Sequence, residues 1–136
     1  MDKLYILKLE NDKWFIGKSA NVEKRYEQHL NGEGDPFTQL HKPISLELSR
    51  DLTSETDHDE TVREYMRKYG VENVRGGIYS KTEFNSYDLS KIRDDISYED
   101  AVKNRRVFEA KVQNEFTNPD SDLRSGRWFM RFLGIN

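Results

Sequence analysis

The amino-acid sequence predicts an α+β fold, with a three-stranded antiparallel sheet flanked by helices and followed by a C-terminal helical addition. Two segments rich in aromatic and branched residues flank a turn signal, and a third alternates apolar and polar residues. Other segments repeat apolar residues at helical spacing. Because 136 residues usually make one domain, we expect residues 1–80 to form the core and residues 81–136 a helical extension packed on it.

The first two predicted strands, residues 3–10 and 13–17, form a β-hairpin. Aromatic and branched side chains fill both segments, and the Asn-Asp pair between them is a typical turn signal. A two-residue loop would place Tyr5 opposite Lys18, with both side chains on one face and Phe15 on the other. A register shifted by one residue would reverse this arrangement, so the predicted closeness of the Lys18 ammonium group to the Tyr5 hydroxyl depends on the turn.

Residues 22–30 are the first predicted helix. Asn21 is a typical N-cap residue, apolar side chains recur every four residues, and an Asn-Gly pair follows the last of them. Arg25 and His29 lie one helical turn apart beside the apolar stripe. We therefore expect these two side chains to be neighbours on the helix surface.

The third strand and the second helix follow. Residues 44–48 alternate between apolar and polar side chains, which is typical of a half-buried strand. The next apolar repeat predicts a helix that begins near Ser54 or Thr56 and ends at Tyr69, where Gly70 is the stop signal. Together with the hairpin, these elements complete the predicted three-stranded sheet and its helices.

The remaining elements belong to the predicted C-terminal half. Residues 74–79 contain two glycines and are expected to form a tight turn. Residues 82–96 are polar and resemble a linker. Ser97 and Asp100 have the spacing of a capping box, so a third helix is predicted to begin there and to continue to Phe116.

The composition indicates a globular intracellular protein. The chain has no cysteine, which excludes thiolate sites and leaves carboxylates and imidazoles to hold a cation such as Mg²⁺. No apolar run reaches the roughly 18 residues of a membrane-spanning helix, and the first residues lead into a strand instead of a signal peptide. We therefore expect an intracellular location without membrane contact.

Charge is unevenly distributed along the chain. The formal net charge of −3 is unusual for a nucleic-acid-binding protein, because phosphate contacts need cations. Residues 47–60 are mostly acidic, which suits either a solvated loop or a metal-binding cluster. Residues 101–136 are basic overall. There, Arg105, Arg106 and residues 124–131 suit contact with a DNA backbone, whereas the neighbouring aromatic residues suit packing.

Several motifs together resemble the GIY-YIG endonuclease family. They are a strand with Tyr5, a strand with Phe15-Ile-Gly-Lys-Ser19, a helix with Arg25-x-x-x-His29, and a later Tyr65-Met-x-Lys-Tyr-Gly-Val-Glu-Asn-Val-Arg-Gly-Gly77. The match covers roughly residues 3–79 and looks closest to the GIY-YIG proteins of large DNA viruses, so a viral or phage origin is expected. The literal Gly77-Ile78-Tyr79 follows the second strand and therefore does not match the family's first motif.

The resemblance implies that the protein is a DNA endonuclease. The family's first tyrosine falls on Tyr5, its arginine on Arg25 and its helical histidine on His29, and Lys18 follows the glycine as in many members. A phenolic oxygen would help deprotonate water while the arginine and one divalent cation neutralise charge on the phosphate. Phe15 stands where the family has its second tyrosine.

The resemblance also implies a metal-binding carboxylate on the second helix. Helical phase does not single out one residue, because Glu64 lies nearly opposite the apolar face. An ungapped alignment places His58 at the corresponding position, with Asp59 and Glu60 beside it. We select Asp59 and Glu60 as the expected ligands of Mg²⁺ or Mn²⁺.

Two further functions remain compatible with the sequence. One is a nuclease-derived module that has lost its metal site and uses the same surface to bind nucleic acid or protein. The other is an interaction protein that self-associates through its C-terminal helix. The net negative charge suits both of these alternatives better than it suits a nuclease.

Overall fold

The computed structural model describes residues 1–117, and the side chains of residues 1–112. It confirms the α+β class, with a four-stranded mixed sheet flanked by helices. The strands are β1 (Lys3–Leu9), β2 (Lys13–Ser19), β3 (Pro43–Asp51) and β4 (Val74–Gly76). The helices are α1 (Val22–Leu30), α2 (Pro36–Leu40), α3 (Asp57–Tyr69) and α4 (Ser86–Thr117).

The chain divides into two units after Ile96. The first unit, Met1–Ile96, contains the whole sheet and every residue discussed below as part of a site. Of the second unit, the structure describes the helical residues 97–117. The predicted boundary at residue 80 and the predicted packing of residues 81–136 stay predictions.

The register of the hairpin differs from the predicted one. β1 and β2 pair so that Tyr5 lies opposite Gly17, and Lys18 lies opposite Leu4. The predicted pairing of Tyr5 with Lys18 is therefore wrong. The connection is a three-residue 3₁₀ turn, Glu10–Asp12, with positive φ at its last two residues. Because one extra loop residue shifts the register by one, Phe15 moves to the same face as Tyr5.

The sheet contains a fourth strand that the sequence did not reveal. β4 pairs with β2 in parallel, and the order across the sheet is β3, β1, β2, β4. The predicted tight turn follows immediately, since Gly76 and Tyr79 exchange two backbone hydrogen bonds of 3.0 and 2.9 Å. A strand of three residues is too short to show an alternating pattern, which explains why it was missed.

The first two predicted helices are confirmed. The Asn21 side chain caps α1 by accepting a 3.1 Å hydrogen bond from the backbone N–H of Lys24. The third predicted helix starts much earlier than expected. Asn85 and Asp88 form reciprocal capping bonds at the start of α4, of 2.8 and 3.1 Å, so Ser97 lies inside the helix and does not open it.

The core has two parts, one on each face of the sheet. The face covered by α3 is here called the α3 face. Its core cluster is apolar except for one tyrosine hydroxyl. The buried residues of this cluster are Leu4, Ile6, Ile16, Val62, Met66, Val74, Tyr79 and Ile92. On the opposite face, here called the α1 face, the cluster comprises Tyr5, Leu7, Leu9, Phe15, Val22 and Phe37. Central strand β1 is therefore buried on both sides.

Two arginines fix the segments around these cores. Arg50 of β3 forms a bidentate ion pair with Asp57, with N···O distances of 2.6 and 3.0 Å, and so ties β3 to the start of α3. This arginine holds the pKa of the buried Asp57 carboxyl far below its usual range, although burial opposes the shift. Asp57 therefore belongs to a structural ion pair.

Arg75 of β4 is buried between two aromatic rings. Its guanidinium carbon lies 4.5 Å from the ring centroid of Phe37 and 3.6 Å from that of Phe84. It donates hydrogen bonds to the backbone carbonyls of Glu72, Val74, Lys81 and Thr82. Burial lowers the pKa of Arg75 to about 10, so it stays cationic at neutral pH. It links α2 to β4 and to the segment between β4 and α4.

Two further sequence predictions concern membrane-spanning helices and the residues near position 130. Within residues 1–117, no helix is both long enough and apolar enough to cross a bilayer. The basic and aromatic residues at positions 124–133, expected to contact DNA or to pack, lie outside the described residues.

Candidate active site

An open cavity of about 460 Å³ lies where β1, β2, α1, α3 and the turn after β4 meet. Tyr5, Lys18 and Arg25 border it, as do Asp59 and the turn residues 76–78. Four of the six residues selected from the sequence therefore line one cavity. His29 lies behind it, in contact with Tyr5, whereas Glu60 does not line it.

Gly17 makes room for the Tyr5 ring. The two residues are cross-strand partners, and a Cβ atom at position 17 would collide with the Tyr5 ring and hydroxyl. Gly34 does the same for His29, since a Cβ there would overlap the imidazole at Nδ1. Both side chains are almost fully buried, with 1% exposure each. Gly17 and Gly34 thus let the rings of Tyr5 and His29 lie against the backbone.

A chain of three hydrogen bonds runs inward from the cavity. The Tyr5 hydroxyl lies 2.9 Å from Nε2 of His29, and Nδ1 of His29 lies 2.8 Å from the Thr38 hydroxyl. Thr38 in turn donates a 2.8 Å hydrogen bond to the backbone carbonyl of Asp35. All of these side chains except that of Asp35 are buried, so the chain is shielded from bulk water.

Burial shifts both titrating members of this chain toward their neutral forms. It raises the pKa of Tyr5 above its ordinary value, and the Arg25 guanidinium opposes that rise. Burial, with a smaller contribution from Arg25, lowers the pKa of His29 to about 4. At neutral pH the pair is therefore a phenol beside an uncharged imidazole.

Arg25 is the cation that influences the pKa values of both Tyr5 and His29. It is half-buried, borders the cavity and donates a 3.0 Å hydrogen bond to the side chain of Gln28. From the sequence, the cation expected next to Tyr5 is Lys18 instead of Arg25. Lys18 is exposed and belongs, through its pairing with Leu4, to the α3 face, so it borders the cavity without adjoining Tyr5 across the strands. Its catalytic role stays a prediction.

Phe15 lies beside Tyr5 and His29. Its ring centroid is 5.1 Å from that of His29 and 6.3 Å from that of Tyr5, and the residue is 6% exposed. The expectation that Phe15 faces the opposite side of the hairpin is wrong because of the register shift. Phe15 therefore forms an apolar wall of the site.

The two selected carboxylates have different surroundings. Asp59 borders the cavity, and its Oδ1 accepts a 3.0 Å hydrogen bond from the backbone N–H of Ile78. Glu60 is exposed and accepts a 3.0 Å hydrogen bond from the hydroxyl of Thr56. Among the residues that the structure describes, no three His, Asp or Glu side chains form a group able to hold a metal ion by themselves.

Two further residues belong to the site. His58 borders the cavity, and its Nε2–H donates a 2.8 Å hydrogen bond to the carbonyl of Ile16. In the neutral ring this leaves the lone pair of Nδ1 unprotonated. His58 lies four residues before the buried Val62, a spacing that could have indicated an inward position. Thr38 gave no sequence signal, because its role depends on a tertiary contact.

Comparison with known proteins identifies bacterial relatives. The chain is 26% identical over 110 residues to a UPF0213 protein of Fusobacterium nucleatum, covering 77% of this chain and 96% of that protein. It is 24% identical over 82 residues to a UPF0213 protein of Staphylococcus epidermidis, covering 57% of this chain and all of that protein. A UPF0213 protein of Staphylococcus saprophyticus is 35% identical over 48 residues, 34% of this chain and 58% of that protein.

No protein-family model and no solved structure matches the chain. The expected closeness to proteins of large DNA viruses finds no support among the bacterial relatives and stays a prediction. These findings show that the chain is distantly similar to UPF0213 proteins.

Proposed function

We propose that this protein is a DNA endonuclease of the GIY-YIG type, which hydrolyses phosphodiester bonds with one divalent metal ion. The observation that carries the proposal is the meeting of Tyr5, Arg25 and His29 at one cavity. Tyr5 and Arg25 border it, and His29 lies within hydrogen-bonding distance of Tyr5. The same three residues carry the resemblance of the sequence to GIY-YIG nucleases.

The proposed chemistry is a proton relay through Tyr5. A water in the cavity transfers a proton to the Tyr5 oxygen as it attacks the phosphorus, while the hydroxyl proton of Tyr5 moves to Nε2 of His29. Tyr5 is then again a neutral phenol and His29 an imidazolium. The bond from phosphorus to the leaving oxygen breaks, and that oxygen takes a proton from a second water. The imidazolium returns its proton through Tyr5 to the resulting hydroxide. No free phenolate is needed, which agrees with the raised pKa of Tyr5.

Arg25 would stabilise the phosphate. Its guanidinium borders the cavity and carries five N–H donors in a planar fork that suits two oxygens of a phosphate. As the water attacks, negative charge grows on those oxygens, so the interaction strengthens in the transition state. Lys18 at the exposed rim is suited to contact the DNA backbone on either side of the cleaved bond.

Asp59 and His58 are the residues suited to hold the cation. Both border the cavity, and a histidine whose other ring nitrogen donates to a backbone carbonyl has the orientation found in metal-binding histidines. The remaining ligands would be water and phosphate oxygens, as is usual for Mg²⁺. The bound cation would supply positive charge that offsets the developing charge on the phosphate. Glu60 faces solvent and is not included.

Plasmid cleavage tests the proposal. Supercoiled plasmid is incubated with the protein and Mg²⁺ or Mn²⁺, alongside Tyr5→Phe and Arg25→Ala. We expect nicked or linear product from the wild type and a loss of at least about 100-fold in each variant. Exposed residues provide matched controls, Tyr87→Phe and Arg93→Ala, which should cleave like the wild type. A folded wild type that cleaves no DNA with either metal would refute the proposed endonuclease activity.

The second candidate is a nuclease-derived nucleic-acid-binding module. It is favoured by Phe15, which replaces a hydroxyl at the wall of the site with an apolar ring. Such a module would bind DNA with an affinity that falls steeply as salt rises, but would not cut it. Filter binding across a salt series, on the same protein and plasmid, separates this outcome from a protein-interaction module, which shows no binding.

A further inference from the structure

We infer that Thr38 is a positioning residue, which fixes the tautomer of His29 and thereby makes the Tyr5 hydroxyl a hydrogen-bond donor to that histidine. The inference rests on the proposed function for its catalytic meaning. Its structural part, the placement of two protons, stands on hydrogen-bond geometry alone.

The argument starts at the buried end of the hydrogen-bond chain. A backbone carbonyl carries no proton, so the 2.8 Å contact between the Thr38 hydroxyl and the carbonyl of Asp35 uses the only proton of that hydroxyl. The same hydroxyl oxygen lies 2.8 Å from Nδ1 of His29. Since Thr38 has no second proton to give, Nδ1 must carry one. The threonine hydroxyl therefore accepts from His29.

The remaining nitrogen then determines the state of Tyr5. A neutral imidazole with its proton on Nδ1 has an unprotonated Nε2, which can only accept. The Tyr5 hydroxyl lies 2.9 Å away and is thus the donor. Burial favours the neutral ring, because it lowers the pKa of His29. The Tyr5 oxygen can still accept a hydrogen bond, from the Arg25 guanidinium or from a water in the cavity.

Thr38 is held firmly enough for this role. It is 1% exposed, and its backbone N–H also donates to the carbonyl of Asp35, at 2.9 Å. On one side, the Asp35 carboxylate caps α2 through the N–H of Phe37, whose ring packs against the guanidinium of Arg75. On the other side, Gly34 lies against the His29 ring. The loop between α1 and α2 therefore holds both partners.

Loss of the Thr38 hydroxyl would remove the preference of the His29 proton for Nδ1. His29 could then carry its proton on Nε2 and donate it to the Tyr5 oxygen, which would turn the hydroxyl proton of Tyr5 toward the cavity. A Tyr5 oriented in that way donates to water, whereas the proposed reaction needs it to accept a proton from water. The tautomer of a buried histidine would thus decide which way the relay runs.

Long-range proton–nitrogen NMR of histidine-labelled protein reads the tautomer directly. His29→Asn identifies the His29 signals. At neutral pH we expect a protonated Nδ1 and a bare Nε2 in the wild type and in Thr38→Ser. In Thr38→Val, and in Thr38→Ala if the valine variant does not fold, the Nε2-protonated form should rise to a substantial share. A wild type with its proton on Nε2, or an alanine variant with the wild-type pattern, would overturn the inference.

Cleavage kinetics provide the second readout. We expect Thr38→Val or Thr38→Ala to lower kcat by about 10- to 100-fold with little change in KM, and Thr38→Ser to stay within about threefold of the wild type. A loss that appears in KM alone would contradict a positioning role. The two failures are distinguishable, because a wild type that does not cleave refutes the proposed function while the NMR pattern still decides whether Thr38 sets the tautomer.

Discussion

The two faces of the central strand β1 are both buried, but they are built differently. Leu4 and Ile6 point to the α3 face, where they meet Val62 and Met66 in apolar packing. Tyr5, between them in sequence, points to the α1 face and begins a chain of directed hydrogen bonds. The difference teaches that one strand can contribute apolar packing on one face and a buried, hydrogen-bonded hydroxyl on the other.

The two faces should respond differently to substitution. Apolar packing depends on volume, so a truncation costs stability in proportion to the space left empty. A buried hydrogen-bond chain depends on each member, because removing one leaves its partner without a bond in a shielded place. We expect substitutions in the α3-face core to change mainly stability, and substitutions in the chain of Tyr5, His29 and Thr38 on the α1 face to change mainly activity. The following predictions test that division, from the largest expected change in the free energy of unfolding to the smallest.

Met66→Ala should have the largest effect on stability. Met66 is 1% exposed in the α3-face core, so its truncation should lower the free energy of unfolding by about 3 kcal/mol. Denaturant unfolding measures this loss. The exposed Ile44→Ala is the control and should change stability by less than about 0.5 kcal/mol. Below its unfolding temperature, Met66→Ala should keep nearly full cleavage; a catalytic loss of 100-fold would break the comparison.

The pH dependence of stability should reveal His29. Its pKa is about 4 when folded and 6.5 otherwise, so below pH 6.5 the unfolded chain takes up a proton that the folded protein does not. The free energy of unfolding should therefore fall as the pH falls from 6.5 to about 4. Below about pH 4 the contribution of His29 should stay constant. Allowing for solvent screening, we expect His29 to lower the free energy of unfolding by about 2 kcal/mol over this pH range.

The control for this effect is His29→Gln, which has no titrating group at position 29. Carboxylates such as Asp57 contribute equally to both proteins, so they cancel in the difference between the two unfolding curves. The difference should change by about 2 kcal/mol between pH 6.5 and pH 4. Parallel curves over this window would show that His29 titrates in the folded protein as it does in the unfolded chain.

Tyr5→Phe should cost little stability but most of the activity. The variant keeps the packing of the ring and removes the donor to His29, which leaves Nε2 without its partner. We expect a loss of about 1–2 kcal/mol in the free energy of unfolding, together with the cleavage defect described above. Tyr87→Phe, at a residue 69% exposed, is the matched control. A variant as unstable as Met66→Ala would blur the distinction between the faces.

Phe15→Tyr should have the smallest effect. Phe15 already borders the cavity, so the added hydroxyl can reach water there and should change stability by less than about 1 kcal/mol. Cleavage should change by less than about tenfold, because Tyr5 and His29 already carry the proposed proton transfer. A larger rise in kcat would show that the second tyrosine is a missing catalytic group.

The sequence revealed the elements with enough residues to show a pattern. Aromatic and branched residues around a turn signal found β1 and β2, alternation found β3, and the cap at Asn21 placed α1 with its observed bounds. The register was wrong because loop length depends on backbone dihedral angles, here positive φ at Asn11 and Asp12, which a turn signal does not specify. β4 was missed because three residues carry no periodicity.

The candidate site was predictable where the spacing within one element determines a neighbourhood. Arg25 and His29 share one side of α1 because they are four residues apart, and Tyr5 lies on the strand beside it. Lys18 was placed beside Tyr5 through the incorrect register. His58 contacts the carbonyl of Ile16 on β2, and Thr38 contacts His29 across the loop between α1 and α2. Both contacts depend on how separate elements pack, which the spacing within one element does not specify.

The parallel pairing of β4 with β2 determines when the cavity can form during synthesis. Tyr5, Arg25 and His29 leave the ribosome early, but the wall made by Gly76, Gly77 and Ile78 needs β4 and the Arg75 bonds to Lys81 and Thr82. Such long-range pairing forms late in folding. A chain that lacks residues 76–82 therefore has Tyr5, Arg25 and His29 without the wall that completes the cavity.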